Sequence, residues 1–172
     1  MPIVSIKFYG QPEFTEVLRQ MQNDFGEKDQ QKILQNAMKV AMKPVLAKAR
    51  NLVPKDTGAL SASLRIEARK PNKKDKNSVY VNSSDTVIGT VTTASGKQLA
   101  KKNFKNLKTG KKQKGIASDA RAVANEFGTH KMAGKPFLRP ALETSSSEML
   151  DSLTQSLRTA ISKYQAKQPK KG

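Results

Sequence analysis

DQQKILQNAMKVAMKPVLAKARNLVPKDTGALSASLRIEAR, residues 29–69, changes its rule of arrangement twice, and those changes decide the fold class. In the first part, Leu34, Met38, Ala41, Val45, Ala49 and Leu52 recur every three or four positions. That spacing predicts one helix from Asp29 to Leu52 with a single apolar stripe. Pro44 lies inside it and predicts a kink, because proline lacks the N–H of the helix ladder. Val53-Pro54-Lys55-Asp56-Thr57-Gly58 then breaks the helix, with Gly58 free to take the positive φ of a tight turn. From Ala59 to Arg69 the apolar residues Leu60, Ala62, Leu64, Ile66 and Ala68 alternate with polar ones, which predicts a half-buried strand.

Working outward, Ile3–Tyr9 reads as a first strand and Pro12–Gln22 as a short helix with Phe14, Val17, Leu18 and Met21 on one face. Two strands follow, near Ser78–Asn82 and Thr86–Thr93, with the basic stretch 69–77 as a hairpin connection. Residues 94–118 carry no usable periodicity and read as a long basic loop, a flexible insertion. Asp119–Phe127 reads as a fourth strand or a short helix, mainly as the strand, with Phe127 as an aromatic anchor at its end. A closing helix runs from Thr144 to Tyr164, opened by a Ser145–Glu148 capping box and lined by Met149, Leu150, Leu153, Leu157, Ile161 and Tyr164. The sum is one α+β domain over residues 1–165. An antiparallel sheet of about four strands packs against two longer helices, and residues 166–172 form a disordered basic tail.

The chain has 172 residues, 36% of them hydrophobic, and neither Cys nor Trp, so disulfide and thiolate chemistry are excluded. Net charge is +18, and three stretches carry nearly all of it: residues 95–114, residues 69–76 and the last ten. In the first of these, Lys97, Lys101, Lys102, Lys105, Lys108, Lys111, Lys112 and Lys114 meet no acid. Such a run suits a polyanion or an acidic partner, and equally a solvated flexible segment. No apolar run approaches a membrane span, and the start lacks the plan of a signal peptide.

Catalytic constellations fail one by one, and no catalytic, cofactor or metal set is expected. The single histidine, His130, sits in a loop-like stretch without the partners a zinc site needs. Gly128 to Gly134-Lys135 has the wrong spacing for a phosphate loop, with Pro136 where Ser or Thr is required. Asp56, Glu67 and Lys70 lack the Glu-x-Lys spacing of a nuclease strand.

Two stretches carry a family likeness. Pro54, Asp56, Thr57, Gly58 and Leu60 stand in a segment that resembles the P-x-D-T-G-x-L-x-x-S signature of small tail-completion and head–tail joining proteins of long-tailed bacteriophages, the group that includes minor tail protein Z. Glu126-Phe127-Gly128-Thr129, then Pro136-Phe137-Leu138-Arg139-Pro140, resembles that family's second segment. The likeness covers roughly residues 15–160; the Lys-rich 94–118 stretch looks like an addition to it. The resemblance implies a non-enzymatic virion protein of the neck or head-proximal tail, made in the host bacterial cytoplasm. It also implies ring assembly with copies of itself, contact with neighbouring neck and tail proteins, and non-specific contact with double-stranded DNA, but no membrane or small-molecule partner. Pro136 and Pro140 are expected to bracket an extended segment, with Arg139 facing the next subunit and Phe137 either in an interface or in the domain's own core. A free, non-sequence-specific nucleic-acid-binding protein is the alternative. The basic stretch argues against it, having Phe104 as its only ring for base stacking.

Overall fold

The stripe over Asp29–Leu52 folds as two helices, α1 (Glu27–Ala41) and α2 (Lys43–Leu52), broken at Met42. Pro44 explains the break: it has no N–H to donate to the carbonyl one turn back, and its ring crowds that turn. In this computed structural model the described residues are 27–76, 87–93, 103–114 and 119–166, with Glu16, Arg19, Gln20 and Asn23, which are helical. The expected strands at 3–9 and 78–82 and the tail beyond Ala166 lie outside the described residues, as does most of the helix expected at 12–22.

The architecture is mixed α+β, and its four described strands form two separate pairs: β1 (Leu64–Arg69) with β2 (Ile88–Thr93), and β3 (Asn103–Lys105) with β4 (Lys112–Lys114). Three expectations are corrected. Residues 59–63 form a helical turn, α3 (Ala59–Ser63), and only 64–69 are strand. Leu60 and Leu64, four apart, fit a helical face as well as an alternation, and the left-handed Gly58 (φ +83°) starts the turn. Asp119–Phe127 is a helix, α5, not a strand. Its three alanines and its Arg and Glu are helix formers, and Ala122 on it is buried. Residues 69–77 include a short helix, α4 (Lys73–Lys76), rather than a plain hairpin loop.

The chain divides into two compact units. The first holds residues 1–42, 68–89 and 147–172. Here Gly89 of β2 lies so close to α1 that an added Cβ would overlap Met38 Cγ. The closing helix, α7 (Ser146–Gln165), buries Met149, Leu153, Leu157 and Tyr164, much as its spacing predicts. Arg69 and Asp75 form an ion pair, with Nη2–Oδ1 at 3.0 Å. Asn72 N–H donates to Asp75 Oδ2 (2.7 Å) and Asp75 N–H donates back to Asn72 Oδ1 (3.0 Å), a reciprocal cap on α4. The Arg69 hydrogen bond holds the Asp75 carboxyl below its ordinary value, outweighing the opposing effect of burial.

The second unit holds residues 43–67 and 90–146. Helix α2 packs on α6 (Leu138–Thr144) and on α3. Its buried apolar residues among those described are Val45, Ala49, Val53, Leu60, Leu64, Ala122, Phe137 and Ala141, with Phe137 wholly enclosed. Lys48 Nζ donates to Thr144 O (2.6 Å) and Arg50 Nη2 to Leu64 O (2.8 Å), so α2 is fastened on two sides by cations of its own. Ser145 is fully buried, but among the described residues its hydroxyl has no hydrogen-bond partner, so the expected capping box with Glu148 does not form. The reason lies in the preceding turn: α6 runs straight into α7, and Ser145 N–H closes onto Leu142 O.

Candidate functional site

Both quoted motifs fall in the second unit, where each anchors a neighbouring segment. The turn Pro54–Gly58 follows α2, and the Thr57 hydroxyl accepts the Ala59 N–H (3.3 Å) while Gly58 O accepts the Ala62 N–H (3.0 Å). Thr57 O also accepts the N–H of Leu107 (3.0 Å), fifty residues on. The positive φ is what favours glycine at Gly58; a Cβ there would also stand 3.1 Å from Leu107 Cγ, which would have to give by a few tenths of an ångström. Lys108 pairs with Asp56, but both side chains are about two-thirds exposed, so that pair contributes little stability.

Leu107 belongs to the basic stretch, whose described part is a β-hairpin rather than a structureless loop. β3 and β4 run antiparallel, with Asn103 opposite Lys114, Phe104 opposite Gln113 and Lys105 opposite Lys112. The connection is organised by Asn106, which is buried (5% exposed). Its Oδ1 accepts the N–H groups of Lys108 (2.8 Å) and Thr109 (3.2 Å), and its Nδ2 donates to Gln113 Oε1 (2.8 Å). Its backbone N–H donates to Lys111 O and its carbonyl accepts the N–H of Gly110, a residue at φ +68°. This is asparagine mimicking a backbone turn, followed by a glycine in the left-handed region. Lys105, Lys108, Lys111 and Lys112 are exposed on it. The cross-strand pair Lys105–Lys112 sets two cations side by side, an arrangement that costs stability. Lys97, Lys101 and Lys102 lie outside the described residues, and Lys114 is placed only as a member of β4.

The second motif is one clasp made from its two halves. Glu126, near the end of α5, accepts three backbone N–H groups through its carboxylate: Phe137 (2.8 Å) and Leu138 (2.9 Å) on Oε2, Arg139 (3.1 Å) on Oε1. These are unpaired donors at the start of α6, which a carboxylate is well placed to satisfy. Gly128 (φ +79°) reverses the chain, and its N–H closes α5 onto Ala124 O. Gly134 comes back against it so closely that a Cβ on either would lie within 3 Å of the other's backbone. Lys135 N–H donates to Asn125 O (2.6 Å), and Thr129 and Met132 bridge across the intervening loop.

The structure therefore corrects the extended reading of Pro136–Pro140. Leu138 to Pro140 open a helix, where Pro140 is tolerated because the first-turn N–H groups have no helical partner anyway. Phe137 is core, Arg139 and Pro136 are exposed, and Leu138 and Pro140 are half-buried. Phe127, expected as an anchor, is 42% exposed. The anchor is Glu126 instead, which sequence reasoning placed in a motif without a role. No side-chain signal marks it, because Glu126 binds only backbone N–H groups of residues 137–139. His130 is exposed at the loop tip, and among the described residues no group of His, Cys, Asp or Glu could hold a metal. No described helix is long and apolar enough to cross a membrane.

No curated protein and no solved structure matches the chain. One family model does, over residues 15–132, about two thirds of the sequence. The matched region takes in the Thr57–Gly58 turn, the basic hairpin and the Glu126 side of the clasp, and ends ahead of Pro136. The chain therefore belongs to the HK97-gp10-like family of bacteriophage tail components.

Proposed function

We propose that this tail component completes the head-proximal end of the tail and joins it to the head, as a ring subunit around the path of DNA. The observation that carries this reading is the basic hairpin seated on the Pro54–Gly58 turn through the Leu107–Thr57 hydrogen bond. It holds a cluster of exposed lysines in a fixed place, as a joint between protein and a polyanion-filled passage requires. The likeness of the two motifs to minor tail protein Z and its relatives supports the same placement. Exposed Arg139, next to the clasp, is a candidate contact with the adjacent copy, since its planar guanidinium suits a carboxylate.

Deleting the gene tests the proposal. Filled heads and full-length tails that remain separate, and that join when purified protein is added, are the expected outcome. Mass spectrometry of purified virions should find the chain in the particle. Normal joined particles without the gene, or failure to build tails at all, would place the protein elsewhere.

A further inference from the structure

Beside the seat of the hairpin runs an open groove of about 430 Å³. Its cationic lining is Arg50, Lys55 and Lys105, and its apolar lining includes Ala62, Phe104 and Leu107. Among the described residues no carboxylate lines it. Leu107 is 60% exposed while its backbone is fixed by a hydrogen bond to Thr57. Arg50 uses Nη2 for Leu64 O, which fixes the direction of its guanidinium. The Lys105–Lys112 juxtaposition adds a further cation that repels its neighbour as long as no anion sits there.

We propose that this groove is the docking site for an acidic segment carrying aliphatic side chains, supplied by a neighbouring tail protein. Charge complementarity selects the acid: three cations line the groove and, among the described residues, no anion does. The apolar lining selects a peptide over duplex DNA, whose phosphate edge offers nothing to cover Leu107 and Phe104. A second copy of the chain is a poorer occupant, because the segments on which its charge is concentrated are basic and repel a basic groove. The assignment of the segment to a tail protein rests on the proposed function; the chemistry of the groove does not.

The test uses the full-length protein and a fluorescein-labelled peptide alternating Glu with Leu. A peptide with Ser replacing each Leu and a short DNA duplex serve as controls. The Glu–Leu peptide should bind at low salt, and the Glu–Ser peptide about tenfold more weakly, the factor expected for losing one buried leucine. Leu107→Ser should weaken the Glu–Leu peptide by a similar factor while leaving DNA binding unchanged. Lys55→Gln with Lys105→Gln should weaken both peptides. All three residues are exposed, so these changes leave the core intact, and Leu107→Ala, checked by thermal unfolding, provides a second variant.

Equal binding of the two peptides would mean that only charge is read and would overturn the proposal. So would a DNA affinity that falls with Leu107→Ser, or self-association that the same change abolishes. Peptide binding is independent of particle joining. If the peptide fails while the deletion phenotype holds, the groove is misassigned and the function stands; the converse outcome separates them the other way.

Discussion

Glu126 is the residue on which the second motif turns. One carboxylate satisfies three N–H groups that the start of α6 otherwise leaves open. Glu126→Ala should cost about 1–3 kcal/mol by thermal or chemical unfolding, and Glu126→Gln less, since an amide oxygen still accepts. Two neighbours in the motif should behave oppositely. Phe137→Ala empties a fully enclosed site and should cost about 3–5 kcal/mol. Arg139→Ala should leave the melting temperature unchanged and lower the yield of joined particles in complementation, if the guanidinium contacts a neighbour. Asp75 gives a pH signature. Its folded-state pKa lies below the ordinary carboxylate value, so its contribution is complete above about pH 4 and lost as pH falls through the folded value. The stability difference between wild type and Asp75→Asn should therefore shrink as pH falls below about 4 and through the lowered folded value.

Among the elements, the hairpin shows what local turn chemistry can do for a segment poor in apolar residues. Asn106→Ala removes the side chain that organises residues 106–111, leaving three polar partners unmatched. The hairpin should then open on the order of tenfold more often, read as faster trypsin cleavage after Lys105, Lys108 and Lys111 in otherwise folded protein. Long elements were largely legible from the sequence: spacing gave the α1–α2 stripe through Ala49 (Leu52, its expected last member, is 48% exposed) and the buried face of α7, and Pro44 gave the break. Short ones were not. Leu60 and Leu64 satisfy a period of two and a period of four alike, and Asp119–Phe127 is too short for its alanines to declare a period. The hairpin lacked periodicity because its order resides in one buried asparagine and one left-handed glycine. The clasp left no trace for a different reason: a carboxylate bound to backbone N–H groups needs no particular side chain opposite it, so nothing in residues 137–139 announces the pairing.

For the whole molecule, charge is concentrated on three segments, and the rest of the chain is nearly neutral. Binding to duplex DNA should therefore be insensitive to sequence and fall steeply with salt. Replacing Lys105, Lys108, Lys111 and Lys112 by Gln should reduce the slope of log affinity against log salt by about 0.9 for each phosphate that the protein no longer neutralises. Fluorescence anisotropy over a salt series measures this directly, and a slope unmoved by the four changes would assign DNA binding to other lysines. The two motifs fasten surfaces in fixed places: the hairpin on the Pro54–Gly58 turn and the start of α6 on Glu126.

The loop between Gly128 and Gly134 has a practical consequence. Its two ends are pinned together by glycine backbones and by the Lys135–Asn125 hydrogen bond, while residues 130–136 are exposed. A closed neck isolates the tip from the fold, so lengthening the tip costs only a slowly growing loop entropy, about 0.6 kcal/mol per doubling. The chain has no cysteine, so His130→Cys would carry its sole thiol at that tip. A maleimide gold or dye attached there would report the position and copy number of the subunit in intact virions by electron microscopy or photobleaching steps.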